Sequence, residues 1–228
     1  LQVFVCNIDF EWKEPLYYKA LERVDERKKE KIVRFVHKED AYRSLLADLL
    51  LRTILNDQFH LKDEDMLFGW NEYGKPYLIN RDNICFNLTH SGDWVGCVIG
   101  QKPVGIEIEY MKSIDLNIAK RFFSPDEYFA LQRETQEKQL DFFYDLWTLK
   151  ESYIKAVGKG MAIPLDSFTI RPEGDSALIS GLDQEYYFKN YNFTEGYKMA
   201  VCSSNNCFPS KPMFVDALRL IQGELFVY

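Results

Sequence analysis

No apolar run in this 228-residue chain reaches the ~18 residues a membrane-spanning helix needs; the richest stretch, residues 45–55, is cut by Asp48 and Arg52. No basic-then-apolar leader pattern opens the chain. LQVFVCNIDFEWKEP turns acidic within a few residues, so the expectation is a cytoplasmic protein that is not exported. Cysteine is sparse and odd in number: Cys6, Cys85, Cys97, Cys202 and Cys207, with no CxxC pair. That excludes a disulfide frame or a zinc ribbon and predicts small core residues in a reducing compartment. Histidine is scarcer still, at three residues. There is no excess of positive charge, because 28 Lys+Arg stand against 35 Asp+Glu for a net −7, which argues against general nucleic-acid binding. GxxxxGK[ST] and the kinase motifs are absent, which removes the usual ATP-dependent phosphoryl transfer. Low-complexity linkers and sequence-level repeats are missing too.

What remains is a chain with 46% apolar and 15% aromatic residues, enough to bury a substantial core as one large domain or two small ones. Its pattern reads as α/β. Residues 3–8 look like a strand. In VDERKKEKIVRFVH, Ile32, Val33, Phe35 and Val36 form an apolar side, while Lys28, Lys31 and Arg34 step at threes along one helical face. A longer helix is expected over 39–59, with a stripe through Ala41, Leu45 and Leu49 and its acids clustered early. The middle reads as short strands over 68–70, 84–89, 94–99 and 104–109, separated by the turns NEYGKP, SGD and GQKP. Helices are expected over 115–123 and after Ser124, where Pro125 and Glu127 complete a capping box. QRETQEKQ reads as a solvated helix end or loop, and a strong helix over 140–157 closes at Gly158. FTI, ALI, YYFKNY and YKMAVC alternate like antiparallel strands, and a short helix is expected over 215–221. Two α/β halves, 1–103 and 104–228, are the natural division.

Three features carry chemistry. In GIEIE, strand alternation sends Glu107 and Glu109 to one face and Ile106 and Ile108 to the other. Adjacent same-face carboxylates repel unless a cation or water intervenes. Such a pair is either the wet side of an edge strand or half of a site for a hard ion such as Mg²⁺. In WTLKESYIKAVGKG, Trp147, Glu151 and Lys155 share a helical face. That is either a surface Glu–Lys pair or the third carboxylate of a cage, with Lys155 one turn further reaching a phosphate on the same metal. In FNLTHSGDW, His90 sits between Thr89 and Ser91 in a strand-to-turn transition, where an imidazole can contact phosphate. Lys28, Lys31, Arg43 and Lys75 are basic groups whose meaning depends on these.

Taken in order, ERKKEKIVRFVHKEDAYRSLLADLLLR, EYGKP, FNLTHSG, VGIEIE, AKRFFSPDEY, LWTLKESYIKAVGKG, PLDSF and GYKMAV resemble the 4′-phosphopantetheinyl transferases of the surfactin-synthetase-activating type. The resemblance runs through nearly the whole chain, with Trp147, Lys150, Glu151 and Lys155 its most specific element. It implies a monomer of two similar α/β halves related by a pseudo-twofold, with coenzyme A between them. It also implies attack by a serine of an apo peptidyl or acyl carrier protein on the β-phosphate, with 3′,5′-ADP leaving. On this chain Glu107, Glu109 and Glu151 would hold Mg²⁺, and Lys155 and His90 phosphate oxygens. Lys28, Lys31 and Arg43 would surround the 3′-phosphate, and Lys75 with Thr89 the nucleotide side. Glu151 would accept the serine proton, directly or through a water on the ion. Segment 113–123 resembles the region that docks the carrier's helix.

One position departs from the family pattern, which has aspartate where this chain has Glu107. The extra methylene carries the carboxylate ~1.5 Å outward. Mg²⁺ demands near-octahedral geometry, so the departure predicts a tilt toward a larger ion such as Mn²⁺. Two competing readings follow. One is a non-catalytic coenzyme A or carrier-protein binding module in which Glu107 has spoiled the metal site. The other is a different Mg²⁺-dependent phosphoryl or nucleotidyl transferase.

Overall fold

A computed structural model describes residues 1–181 and 185–228. The chain opens with strand β1 (Gln2–Asn7), helices α1 (Glu14–Leu21), α2 (Glu26–Ile32) and α3 (Lys38–Phe59), then the hairpin β2 (Phe68–Trp70) and β3 (Pro76–Leu78). Strands β4 (Cys85–Ser91), β5 (Trp94–Gly100) and β6 (Val104–Tyr110) follow, then α4 (Ala119–Phe122), α5 (Pro125–Arg133) and α6 (Gln136–Val157). The remainder is hairpin β7 (Thr169–Glu173) and β8 (Ser176–Ser180), strands β9 (Tyr187–Asn190), β10 (Tyr197–Ser203) and β11 (Met213–Val215), and α7 (Ala217–Gln222).

The sheets are ordered β11-β1-β5-β4 and β6-β10-β9. Each half therefore repeats one plan: a first strand in sequence paired to its third, a 22-residue helix, and a small hairpin set apart. The last strand breaks the division, since β11 pairs in parallel with β1 and α7 packs against α1 and α3. Chain beyond residue 212 thus returns to the first half.

Hydrophobic pattern explains the layering. WVGCVI in β5 is apolar on both faces because both are covered. Cys97 and Ile99 pack toward the buried helix α3, whereas Val98 joins Val3, Val5, Val104, Ile106, Ile108 and Val201 in a core between the two sheets. A third core lies around α6. From Ser44 to Leu55 every residue of α3 except Asp48 is buried. The Arg52 guanidinium among them is neutralised by Asp25 at 2.5 Å and Asp48 at 2.6 Å.

Several local expectations shift. α2 stops at Ile32, so Arg34 lies beyond it and Val33, Phe35 and Val36 are 63%, 37% and 91% exposed; Ile32 alone of that apolar group is buried. A seven-residue helix followed by a turn into α3 presents one anchor, not a stripe. The helix expected over 115–123 shrinks to a 3₁₀ turn and the four-residue α4. α6 starts four residues early at Gln136, through the charged stretch, because a solvated first turn shows no apolar period. The expected C-terminal helix gives up Val215 to β11 and starts at Ala217, capped by Asp216. Cys6, Cys97 and Cys202 are buried as expected, Cys85 is half-buried and Cys207 is exposed; all are free. No helix among the described residues is long and apolar enough to cross a membrane.

Candidate active site

Within the second half, the site is set by how closely α6 approaches β6. Gly105 permits that approach: a Cβ there would lie 2.0 Å from the Ser152 carbonyl oxygen and 2.4 Å from the Ala156 nitrogen. With Gly105 against the last turns of α6, the alternation of GIEIE puts Ile106 and Ile108 fully into the inter-sheet core. Glu107 and Glu109 face α6, half-buried, and meet the side carrying Trp147, Glu151 and Lys155. The wet-edge reading of the acidic pair and the surface-pair reading of Glu151 and Lys155 both fall here. Lys155 pairs with Glu107 from helix to strand, donates to the Ile106 carbonyl at 3.2 Å, and reaches across to the first half at the Leu88 carbonyl, 3.4 Å away.

Electrostatics bind the three carboxylates into one system. Burial, then the Glu107 charge, push the Glu151 carboxyl up to about 7; Glu109 adds to this and Lys155 opposes it. Glu109 is raised as well, by burial and by Glu107, with hydrogen bonding from Ser91 and Trp147 pulling it back. Lys198, cross-strand from Glu109, is held by Asp141 at 2.8 Å and Asp145 at 2.9 Å. An all-carboxylate donor set in which Glu109 and Glu151 are held above the ordinary carboxylate range suits a hard divalent cation. Among the described residues no three such groups are gathered into a finished cage, because Glu107 turns toward Lys155.

The predicted basic residues divide. Lys28 and Lys31 line a cleft of about 300 Å³ together with Trp70, Gly74, Pro76 and Leu88. Its far wall is thus the strand whose Leu88 carbonyl receives Lys155. Lys28 lies 3.8 Å from Asp48, and burial lowers its ammonium below the ordinary lysine range. α2 itself is fixed by Asp25, which caps it and is gripped by buried Arg52. Arg43 donates to the Gly92 carbonyl at 2.7 Å and to Asp40 at 2.6 Å. His90 stands near it with an exposed ring, lowered by partial desolvation and then by the Arg43 and Lys155 charges.

Two residues expected on the nucleotide side point elsewhere. Lys75 directs its ammonium away from the cleft, to the carbonyls of Val104 at 3.0 Å, Lys155 and Ala156 at 3.2 Å, so it ties the halves together. Thr89 is buried and uses its hydroxyl on Ile108 and Glu107. Lys150, within the most specific motif, is fully buried; it is ion-paired to Glu127 at 2.8 Å and capped by the Leu165 and Phe168 carbonyls. Glu127 keeps its capping box with Ser124.

Comparison with known proteins decides the family. Residues 103–202 match the model described as "4'-phosphopantetheinyl transferase superfamily", and residues 11–102 match "4'-phosphopantetheinyl transferase, N-terminal". The chain belongs to the 4′-phosphopantetheinyl transferases. This transferase is 45% identical over 201 residues to the 4′-phosphopantetheinyl transferase Sfp of Bacillus subtilis, covering 87% of this chain and 90% of that one. To the 4′-phosphopantetheinyl transferase gsp of Aneurinibacillus migulanus it is 44% identical over 182 residues, covering 79% and 76%. The sequence resemblance to the Sfp type therefore holds.

Sequence reasoning missed Asn87 and Ser91. The signal was present as polar residues at alternate positions of β4, bracketing Thr89, but on a lone strand such alternation reads as a wet face.

Proposed function

We propose that this enzyme moves 4′-phosphopantetheine from coenzyme A to a serine of an apo acyl or peptidyl carrier protein, releasing 3′,5′-ADP, as a Mg²⁺-dependent monomer of the cytoplasm. The halves are 1–103 and 104–228, less the C-terminal return. One observation carries the reading. Glu107, Glu109, Glu151 and Lys155 come from distant stretches to one junction, beside a cleft whose rim holds Lys28 and Lys31.

The serine oxygen forms a bond to the β-phosphorus, the phosphoanhydride bond to 3′,5′-ADP breaks, and the serine proton goes to a base. Glu151, raised to about 7, is suited to take that proton near neutral pH. Lys155 neutralises charge on the transferring phosphate, and His90, lowered by partial desolvation and then by its cationic neighbours, donates an N–H to a phosphate oxygen. Lys28, Lys31 and Arg43 receive the 3′-phosphate. The EYGKP turn lines the nucleotide side through Gly74 and Pro76, with Lys75 behind it. Glu107, Glu109 and Glu151 would hold Mg²⁺, or Mn²⁺, which when bound neutralises diphosphate charge. The 113–123 segment offers a carrier exposed Ile118 beside Lys112, Lys120 and Arg121, a local patch opposite in sign to the whole chain and suited to an acidic partner.

Incubation with coenzyme A, Mg²⁺ and an apo carrier domain, followed by mass spectrometry of the carrier, tests this. A gain of one phosphopantetheine is expected. Binding without gain would support the binding-module reading instead, and neither binding nor gain would point to a different transferase.

A further inference from the structure

β6 is bonded to β10 along one edge only; its other edge faces β4 of the first half with no backbone ladder between them. An interior edge of that kind leaves N–H and C=O groups that need partners. Side chains supply them. Asn87 Oδ1 accepts from the Ile106 N–H at 2.9 Å, Thr89 Oγ1 from the Ile108 N–H at 3.2 Å, and Ser91 Oγ from the Tyr110 N–H at 3.0 Å. Each rung spans 19 residues, as two strands running side by side in one direction require. On the same edge Lys75 takes the Val104 carbonyl and Lys155 the Ile106 carbonyl.

Two rungs do something the third does not. A hydroxyl that accepts from a fixed backbone N–H still has its own proton to donate. Thr89 donates that proton to Glu107 Oε2 at 3.2 Å, and Ser91 donates to Glu109 Oε2 at 2.9 Å. Among the described residues Asn87 has no hydrogen bond to a carboxylate. We propose that Thr89 and Ser91 are positioning residues that fasten Glu107 and Glu109, both of the second half, to β4 of the first, so docking of the halves sets where the two carboxylates point, whereas Asn87 serves the seam alone. This rests on the reading of the site given above.

Ser91→Ala, Ser91→Thr and Asn87→Ala in the full chain separate the two roles. The readouts are the thermal midpoint, binding of Mn²⁺ alone followed by electron paramagnetic resonance, and kcat and KM for coenzyme A. Ser91→Ala is expected to weaken Mn²⁺ binding and lower kcat by about 10–100-fold, as loss of an outer partner of a metal ligand does. KM and the midpoint should stay near the parent values, because Tyr110 is exposed and water can take the vacated rung. Ser91→Thr restores both losses. Asn87→Ala lowers the midpoint, since the buried Ile106 N–H loses its partner, but leaves Mn²⁺ binding near the parent's. Parent-like Mn²⁺ binding in Ser91→Ala, failure of Ser91→Thr to restore it, or an equal loss in Asn87→Ala would each overturn the proposal, as would a parent that binds no Mn²⁺. A parent whose Mn²⁺ binding depends on Ser91 yet transfers nothing would sink the transferase reading and leave this one standing.

Discussion

At the scale of single residues, the site is a contest between burial and charge. Glu151 shows it most clearly, with a carboxyl pushed from 4.5 up to about 7. A folded pKa above the unfolded one means the native state holds more protons between those values, so stability falls as pH rises from 4.5 to about 7 and the loss is complete above it. In metal-free protein, Glu151→Gln is therefore expected to be more stable than the parent at pH 8, by on the order of 1 kcal/mol once solvent screening is allowed for. The gap should close near pH 4.5; urea unfolding at the two pH values measures it. Glu107 is the second case. Its longer side chain reaches Lys155 and Thr89. Glu107→Asp should raise the rate in Mg²⁺ relative to Mn²⁺, and an unchanged ratio of rates in the two ions would remove the idea of an altered metal preference.

At the scale of elements, two contacts hold the site in register. Gly105 lets α6 touch β6, and a methyl group there would collide with helix backbone that cannot yield. Gly105→Ala should cost at least ~1–3 kcal/mol and remove transfer, seen as a lower thermal midpoint with loss of kcat. Lys75 is the second contact. Burial lowers its ammonium to about 8, yet three carbonyls of β6 and the end of α6 depend on it. Lys75→Met should lose ~1–3 kcal/mol while KM for coenzyme A stays near the parent value; a KM that rises sharply without loss of stability would return Lys75 to the nucleotide side. Elements were largely readable in advance because their signals are local. The alternation of GIEIE, the i, i+4, i+8 face of Trp147, Glu151 and Lys155, and the Ser124–Glu127 capping box each lie within a single element or its cap. The early end of α2 was not readable. Ile32-Val33 continues an apolar pattern that only the path into α3 interrupts.

At the scale of the whole molecule, the acidic groups belong to the second half and their supports to the first. Glu107, Glu109, Glu151 and Lys155 lie on β6 and α6, while Thr89, Ser91 and the Leu88 carbonyl that steady them lie on β4. The alternation of Asn87, Thr89 and Ser91 along β4 does not say what the strand faces, which is why the acidic residues were legible and the seam role of their partners was not. The same seam buries Val98, Ile106, Ile108 and Val201, so the contact that docks the halves also holds the supports of the site in place. The central claim is that this junction performs the transfer. The most direct measurement is the mass of an apo carrier incubated with coenzyme A, Mg²⁺ and either Glu151→Gln or Lys155→Ala, each first shown by thermal unfolding to be folded. Carrier of unchanged mass with both variants, beside full conversion by the parent, is the predicted result. Conversion by either variant at the parent's rate would contradict it.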